Sequence, residues 1–207
     1  MAQRIAIVDY GAGNLTSVVK ALAAAGAAPR IVPRSAHLEG AEAIVIPGVG
    51  HFEATRTLDD IDRQVIGTCI ATGVPILGIC LGMQWLFDGS EEAPDLAGLG
   101  ALPGRCTRLS GEVKVPHVGW NTIEATGSAS RLLAGLPAGA TAYFTHSYAA
   151  PDSDATVART THGTPFASVV ERGRVFGTQF HPEKSGSVGV RMLATFIQIA
   201  REANVRC

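Results

Sequence analysis

The sequence predicts an α/β fold: an open, mostly parallel twisted sheet with helices on both faces and additional antiparallel strands in the C-terminal half. Up to Ser90, apolar strand segments alternate with amphipathic helical segments, and the strand segments are unbroken apolar runs. Such alternation favours parallel pairing through right-handed crossovers, and unbroken apolar strands are typical of sheets covered on both faces. After Ser90, short segments separated by Gly, Pro and Asp favour antiparallel strands.

The elements of the first half follow from hydrophobic periodicity. Residues 5–8 form the first predicted strand, and Gly26 ends the helix that follows it. That helix has apolar residues at positions i, i+3, i+4 and i+7, namely Leu15, Val18, Val19 and Leu22. Further strands are predicted at residues 28–32, 43–46 and 74–79, and helices at residues 65–71 and from residue 83.

In the second half, strands are predicted at residues 114–118, 142–148, 156–160, 167–171 and 174–180. The helical spacing returns near the C-terminus and predicts a last helix with an apolar face formed by Leu193, Phe196, Ile197 and Ala200. No repeat, low-complexity segment or linker interrupts the pattern. Residues 1–207 are therefore expected to form one domain.

Composition excludes several classes of function. With 46% hydrophobic and 17% charged residues, the chain can bury a sizeable core, which argues against global disorder. A net charge of −1 without a long basic run argues against nucleic acid as a main partner. No apolar run reaches the ~20 residues that a membrane helix needs. The N-terminus leads directly into a strand, so no signal peptide is expected.

The cysteines are widely scattered, at Cys69, Cys80, Cys106 and Cys207, and form no C-x-x-C pair. This pattern favours free thiols in a reducing compartment, so the predicted location is the cytoplasm. Cys69 and Cys106 are expected to be small buried hydrophobic residues, and Cys207 a frayed terminal thiol. No histidine stands in an H-E-x-x-H motif or beside a cysteine pair, so neither a metal nor another cofactor is expected.

One cysteine stands in a context that indicates chemistry. The run Gly78-Ile79-Cys80-Leu81-Gly82 joins a predicted buried strand to a predicted helix, the thiol version of the G-x-S-x-G nucleophile elbow. Such a turn lifts the side chain clear of the sheet, and a helix beginning just after Cys80 favours the thiolate. We therefore expect Cys80 to be the nucleophile of an acyl-transfer reaction.

A base for this thiol is expected in His181-Pro182-Glu183, which follows the predicted strand at residues 174–180. Open α/β sheets have their sites at the carboxyl ends of strands. His181 is the candidate base, and Glu183, two residues later in extended backbone, is the candidate carboxylate that orients the imidazole. The other histidines lack such a context and are expected to be ordinary structural residues: His37, His51, His117, His146 and His162.

A glycine-rich segment, Pro47-Gly48-Val49-Gly50, follows the predicted strand at residues 43–46 and is called the 47–50 loop below. Together with the N–H of Leu81, it can present backbone donors to a tetrahedral oxyanion. A second glycine-rich turn at residues 11–13 suggests a dinucleotide site, but Thr16 replaces the third glycine of that motif. Pro33 and Arg34 stand where the motif requires an acid, so this binding class is rejected.

The runs G-I-C-L-G-M-Q (78–84) and F-H-P-E (180–183), with the 47–50 loop, closely resemble the class I (triad) glutamine amidotransferases over nearly the whole chain. Further segments narrow the resemblance: Y-G-A-G-N (10–14), P-G-V-G-H-F (47–52), K-V-P-H-V-G-W-N (114–121), Y-F-T-H-S-Y (143–148) and H-P-E-K-S (181–185). Their combination is similar to the glutaminase-subunit family of imidazole glycerol phosphate synthase. That family often has Met where this chain has Val118.

The resemblance implies a role for individual residues. A catalytic triad hydrolyses glutamine to glutamate and ammonia through a thioester, and its members are Cys80, His181 and Glu183. The oxyanion is held by the N–H groups of Val49 and Leu81. Glutamine is held by Gly50, Gln84, Ser147 and Tyr148. Contacts with a partner subunit are made by Asn14, Trp120, Tyr143 and Lys184.

The partner that the resemblance implies is a cyclase subunit, a (β/α)8 barrel, which forms a heterodimer with the glutaminase. It uses the ammonia to make imidazole glycerol phosphate and an aminoimidazole carboxamide ribonucleotide in histidine biosynthesis. The glutaminase is expected to be gated by this partner. Three alternatives remain open: a glutaminase for another synthase (anthranilate or pyridoxal phosphate), a hydrolase that acts alone on γ-glutamyl compounds, and a non-catalytic binding module.

Overall fold

A computed structural model describes residues 2–33 and 38–207. The strands are β1 (Gln3–Asp9), β2 (Ala27–Pro33), β3 (Ala43–Ile46), β4 (Ile76–Ile79), β5 (Gly89–Ser90), β6 (Arg105–Arg108), β7 (His117–Thr122), β8 (Glu124–Ala125), β9 (Thr141–His146), β10 (Tyr148–Ala149), β11 (Thr156–His162), β12 (Thr164–Arg172) and β13 (Val175–Thr178). The α-helices are α1 (Leu15–Ala24), α2 (Asp60–Ala71), α3 (Leu81–Trp85) and α4 (Gly186–Ala203). Within the described ranges, two 3-10 turns span Phe52–Thr57 and Pro182–Lys184.

The largest sheet has eight strands in the order β2-β1-β3-β4-β13-β12-β11-β8. Its first five strands run parallel, whereas β12, β11 and β8 are antiparallel to their neighbours. Helices α1 and α4 pack on one face, and α2 packs on the other. The predicted α/β class with antiparallel strands in the C-terminal half is therefore confirmed.

Three predicted strands have a place in the fold that differs from the prediction. The strand predicted at residues 174–180 is β13, which belongs to the parallel core beside β4, with Gly177 opposite Gly78. It reaches that place because the tight turn at Gly173 folds it back along β12. The segments predicted at residues 114–118 and 142–148 are β7 and β9, which form a separate two-stranded sheet. β7 begins only after Pro116, which has no backbone N–H to donate.

Helix boundaries also differ, for local reasons. α2 begins at Asp60 and not at residue 65, because Asp59 and Asp62 form a capping box at its N-terminus. α3 begins directly after Cys80 but has only five residues, so its dipole is small. Among the helices that the structure describes, none is long and apolar enough to cross a bilayer.

Cysteine pairing contradicts the prediction of scattered free thiols. Cys69 of α2 and Cys207 at the C-terminus form a disulfide, with Cα atoms 5.2 Å apart. Backbone hydrogen bonds of Cys207 with Gly40 and Ala41 hold the C-terminal segment in place, and Cys207 there reaches Cys69 of α2. Sequence spacing contains no signal for such a long-range approach. Cys80 and Cys106 are free and buried.

The disulfide is expected to stabilise the fold, because it joins residues separated by 138 positions. Closing a long loop removes entropy from the unfolded chain and is worth about 2–4 kcal/mol. Reduction of the wild-type protein should therefore lower the urea concentration at the midpoint of unfolding. Cys207→Ser is the control: its midpoint should already be low and should not respond to reductant. A wild-type midpoint that reduction leaves unchanged would contradict this expectation.

Candidate active site

Cys80 lies at the carboxyl end of β4, in the turn that leads into α3. Its backbone has φ 53° and ψ −107°, a conformation that a residue with a side chain adopts only under strain. A short backbone hydrogen bond holds the turn, since the N–H of Cys80 donates to the carbonyl of Thr178 at 2.7 Å. Strained backbone of this kind concentrates at active sites. The sharp strand-to-helix turn predicted around Cys80 is therefore present.

Close packing explains the glycines on either side of Cys80. A Cβ atom on Gly82 would lie 1.8 Å from the carbonyl oxygen of Ile46, and one on Gly78 would lie 2.7 Å from the carbonyl oxygen of Gly82. Both contacts are with backbone atoms, which cannot move aside as a flexible side chain can. Neither position therefore accepts a side chain in this arrangement.

His181 and Glu183 form a buried pair after the end of β13. His181 Nδ1 lies 2.8 Å from Glu183 Oε1, and the two side chains are only 1% and 3% exposed. The Nδ1–H group donates to the carboxylate, which leaves Nε2 as the nitrogen available for proton transfer. The Ser185 hydroxyl donates to the carbonyl oxygen of His181 at 2.6 Å and fixes the backbone of the pair.

The protonation of His181 depends on its neighbours. Burial lowers the pKa of His181, but hydrogen bonds and charge interactions with Cys80 and Glu183 raise it and prevail, giving a pKa of about 9. Nε2 itself makes no hydrogen bond of ordinary geometry to the described residues, yet Cys80 is near enough to act on the ring. The raised pKa favours the imidazolium form of the ring, which can give a proton to a departing group.

The sulfur opens onto a cleft of about 230 Å³, a volume that suits an amino acid. Predicted residues that line the cleft are Gly50, Cys80, Leu81, Gln84, Ser147 and Tyr148. The structure therefore brings the expected glutamine-holding residues to the expected nucleophile. Val49 is not among the lining residues and is 36% exposed on the adjoining 47–50 loop.

Four further lining residues were not predicted: Glu92, Pro116, Thr145 and His146. Glu92 is the only carboxylate among the lining residues, and its Oε2 accepts the N–H of Phe52 at 2.7 Å. In the sequence Glu92 follows Ser90 and Glu91, and nothing in this segment distinguishes it from a charged residue on the protein surface. Gln179 was also missed, although its Nε2 lies 3.6 Å from Cys80 Sγ.

Two histidines that were expected to be structural form a buried pair beside the cleft. His117 Nδ1 and His146 Nε2 are 3.1 Å apart. Burial lowers the pKa of His117 to about 4 and that of His146 to about 3, so both rings are neutral. His51 caps the turn Phe52–Thr57, and His37 lies outside the described residues. Within residues 2–33 and 38–207, no group of three or more His, Cys, Asp or Glu could hold a metal ion.

Three of the predicted partner-contact residues form one exposed cluster. The rings of Trp120 and Tyr143 are 6.3 Å apart, and Lys184 Nζ lies 5.9 Å from the centre of the Tyr143 ring. Trp120 and its neighbour Val118 are each 58% exposed, which is typical of a surface that meets another protein. Asn14 lies apart from this cluster in sequence and caps α1, where its side chain accepts the N–H of Ser17.

Comparison with known proteins supports the resemblance inferred from motifs. The family model for class-I glutamine amidotransferases matches residues 6–199. The imidazole glycerol phosphate synthase subunit HisH of Deinococcus radiodurans is 46% identical over 202 residues, covering 94% of this chain and 93% of the relative. The subunit of the same name from Methanopyrus kandleri is 44% identical over 200 residues, covering 92% of this chain and 95% of the relative.

Solved structures support the fold. PurLQS from Thermotoga maritima matches with a TM-score of 0.75 and 21% identity, covering 96% of this chain and 99% of that one. A crystal structure described as a glutamine amidotransferase matches with a TM-score of 0.74 and 20% identity, covering 95% of this chain and 98% of that one. The chain belongs to the class I glutamine amidotransferases and, within them, to the family of imidazole glycerol phosphate synthase HisH subunits.

Proposed function

We propose that the chain is the glutaminase subunit of an imidazole glycerol phosphate synthase and serves histidine biosynthesis. The geometry around Cys80 is the main support: a strained turn places this residue in the lining of an amino-acid-sized cleft, and a buried His181–Glu183 pair lies beside it. This is the nucleophile, base and orienting carboxylate of acyl-transfer enzymes. The names of the relatives identify the synthase as imidazole glycerol phosphate synthase.

In the first half-reaction, Cys80 Sγ attacks the side-chain amide carbon of glutamine. The N–H groups of Leu81 and Val49 donate to the oxygen of the tetrahedral intermediate, where the negative charge develops. His181 Nε2 gives its proton to the nitrogen, the C–N bond breaks, and ammonia leaves. Glu183 keeps the imidazole in place by accepting the hydrogen bond from Nδ1.

In the second half-reaction, water hydrolyses the γ-glutamyl thioester. His181 Nε2, now neutral, removes a proton from the water as it attacks the carbonyl carbon. The C–S bond breaks, glutamate leaves, and the thiolate and imidazolium are restored. Both steps are acyl transfers without a change of oxidation state, so the reaction requires no redox cofactor.

Glutamine carries an α-ammonium group, and Glu92 is the carboxylate in the cleft that matches it. We expect Glu92→Gln to raise KM for glutamine about tenfold to a hundredfold with little change in kcat, because it removes a charge-assisted hydrogen bond of about 1.5–3 kcal/mol. Steady-state kinetics measure both constants. Glu91→Gln, at an exposed neighbouring position, is the matched control. A fall in kcat at constant KM would assign Glu92 to another role.

The ammonia acceptor is proposed to be a cyclase subunit with a (β/α)8 barrel, bound as a heterodimer. The exposed cluster of Trp120, Tyr143 and Lys184 supports this interface, with Asn14 as a further contact. Tyr143 also connects the cluster to the triad, since its carbonyl accepts the N–H of His181 at 3.0 Å. Binding at this surface therefore has a short route to the catalytic pair.

We further propose that the 47–50 loop is set to hold the oxyanion only when the liganded partner is bound. Gly48 and Gly50 flank Val49, and Gly50 has φ 95°, so the peptide groups of the loop can reorient at small energetic cost. A glutaminase gated in this way does not waste glutamine when no acceptor is present.

The test is glutamate release by the full chain, alone and with the imidazole glycerol phosphate cyclase subunit and its nucleotide substrate, with Cys80→Ala as the blank. We expect a low rate that rises steeply only with the liganded partner. A measurable rate that is indifferent to the partner would overturn the partner assignment and the gating while retaining a cysteine glutaminase. Absence of release under every condition would overturn the glutaminase itself.

The cytoplasm is the proposed location, because a biosynthetic synthase consumes metabolites of the cell interior. Cysteine usage does not support this location, because Cys69 and Cys207 are bridged and such bridges are rare in a reducing compartment. Trapping of free thiols in a rapid cell lysate would determine whether the bridge exists in the cell.

A further inference from the structure

We propose that Gln179 is a further catalytic residue, whose side-chain N–H donates a hydrogen bond to the Cys80 thiolate. Gln179 follows β13 and is completely buried, with its Nε2 3.6 Å from Cys80 Sγ. This contact lies outside the triad and outside the 47–50 loop. The inference rests on the proposed role of Cys80 as the nucleophile.

Neighbouring hydrogen bonds determine which end of the Gln179 amide faces the sulfur. Gln84 Nε2 lies 2.8 Å from the backbone carbonyl of Tyr148, and because a carbonyl only accepts, this atom must be the donor. Gln84 Nε2 also lies 3.2 Å from Gln179 Oε1, which accepts its second N–H. A flipped Gln179 would place two donors against each other. Its Nε2–H group is therefore directed at Cys80.

The same Tyr148 carbonyl orients the buried histidine pair. His146 Nδ1 lies 2.9 Å from it and must donate, so His146 Nε2 accepts the Nδ1–H of His117. His117 Nε2 in turn accepts from Asn121 Nδ2 at 3.3 Å. The Gln84 amide and the His146 ring therefore both donate to the carbonyl oxygen of Tyr148. If either group flipped, it would lose its hydrogen bond to this oxygen.

The sulfur has little solvent to stabilise a negative charge, since Cys80 is 5% exposed. The carbonyl of Thr145, 3.9 Å from Sγ, can only accept and therefore favours the protonated thiol. The N–H of Gln179 has the opposite effect, because a thiolate accepts its hydrogen bond more strongly than a thiol does. Ionisable groups that interact with the sulfur from other elements are His181, Tyr10 and Cys106, and Glu92 lines the same cleft.

The test is the pH profile of alkylation of Cys80 by iodoacetamide in the full chain, with Cys80→Ala as the blank for the other cysteines. Gln179→Met retains the length of the side chain and removes the N–H. We expect the midpoint of its profile to move up by about one pH unit, and alkylation below the midpoint to be about tenfold slower. Gln198→Met, on the exposed face of α4, is the matched control and should not move the midpoint.

An unmoved midpoint in folded Gln179→Met would overturn the proposal and leave the proposed function standing, whereas glutaminase activity retained by Cys80→Ala would overturn the proposed function. If Gln179→Met does not fold, the wild-type protein provides a second measurement. The side-chain amide signal of Gln179 in a 15N–1H spectrum should then move with the titration of the thiol and stay constant in Cys80→Ala. A wild-type signal that does not follow the thiol would overturn the proposal equally.

Discussion

Cys80→Ala is expected to lower glutamate release by about 10⁴-fold or more, because the thioester cannot form without the sulfur. The residual rate would come from water activated by His181 in a cleft that still binds glutamine. A sensitive assay of glutamate at saturating glutamine measures the loss, and the thermal melting temperature serves as the folding control. A variant that retained a hundredth of the wild-type rate would exclude Cys80 as the nucleophile.

The other members of the triad should follow a definite order. His181→Ala should lose nearly as much activity as Cys80→Ala, because the proton donor to ammonia is gone. Glu183→Gln should retain more, because this carboxylate acts through the imidazole, 2.8 Å away, and is not among the residues that line the cleft. The opposite ranking would show that Glu183 has a role other than orienting His181.

Gly82→Ala is expected to destabilise the protein by about 3 kcal/mol or more, because its Cβ would lie 1.8 Å from the carbonyl oxygen of Ile46. Either β3 or the turn at Cys80 must move, so activity should be lost together with stability. Urea unfolding monitored by circular dichroism measures the loss. An unfolding midpoint close to that of the wild-type protein would show that the packing around the turn is looser than described.

Gly67→Ala is the matched control for this substitution. Gly67 lies inside α2, and nothing lies within 4 Å of the position that a Cβ would occupy. The same chemical change should there stabilise the protein by about 0.5–1 kcal/mol, because alanine loses less backbone entropy on folding. The two variants together separate the clash at Gly82 from the general effect of replacing glycine.

What the sequence predicts well is what depends on local pattern. Unbroken apolar runs predicted the parallel strands. The glycines around Cys80 predicted a sharp turn, and the close approach of backbone atoms at Gly78 and Gly82 requires glycine at both positions. His181 and Glu183 are paired as their close spacing predicted, but the predicted extended backbone is wrong: Pro182–Lys184 is a 3-10 turn, and it brings His181 Nδ1 and Glu183 Oε1 to 2.8 Å. In each case the information lies within a few consecutive residues.

The features that the sequence could not predict depend on contacts between residues that lie far apart in the chain. Glu92 reaches the cleft through its hydrogen bond with Phe52, 40 residues earlier in the chain. Gln179 meets Gln84 across β13 and α3, and neither position has a local pattern that distinguishes it from any other buried amide. The disulfide could not be predicted for the same reason, because Cys69 and Cys207 approach only after the chain has folded.

The bridge from Cys69 to Cys207 also closes residues 69–207 into a covalent ring and leaves residues 1–68 as an arm attached to it. The ring contains Cys80, His181 and Glu183, whereas the 47–50 loop belongs to the arm that precedes Cys69. A single proteolytic cut between Cys80 and His181 leaves these two residues on one covalent molecule until reductant is added. A single cut between the loop and Cys69 breaks the covalent link between Val49, the proposed oxyanion donor, and Cys80, whatever the redox state.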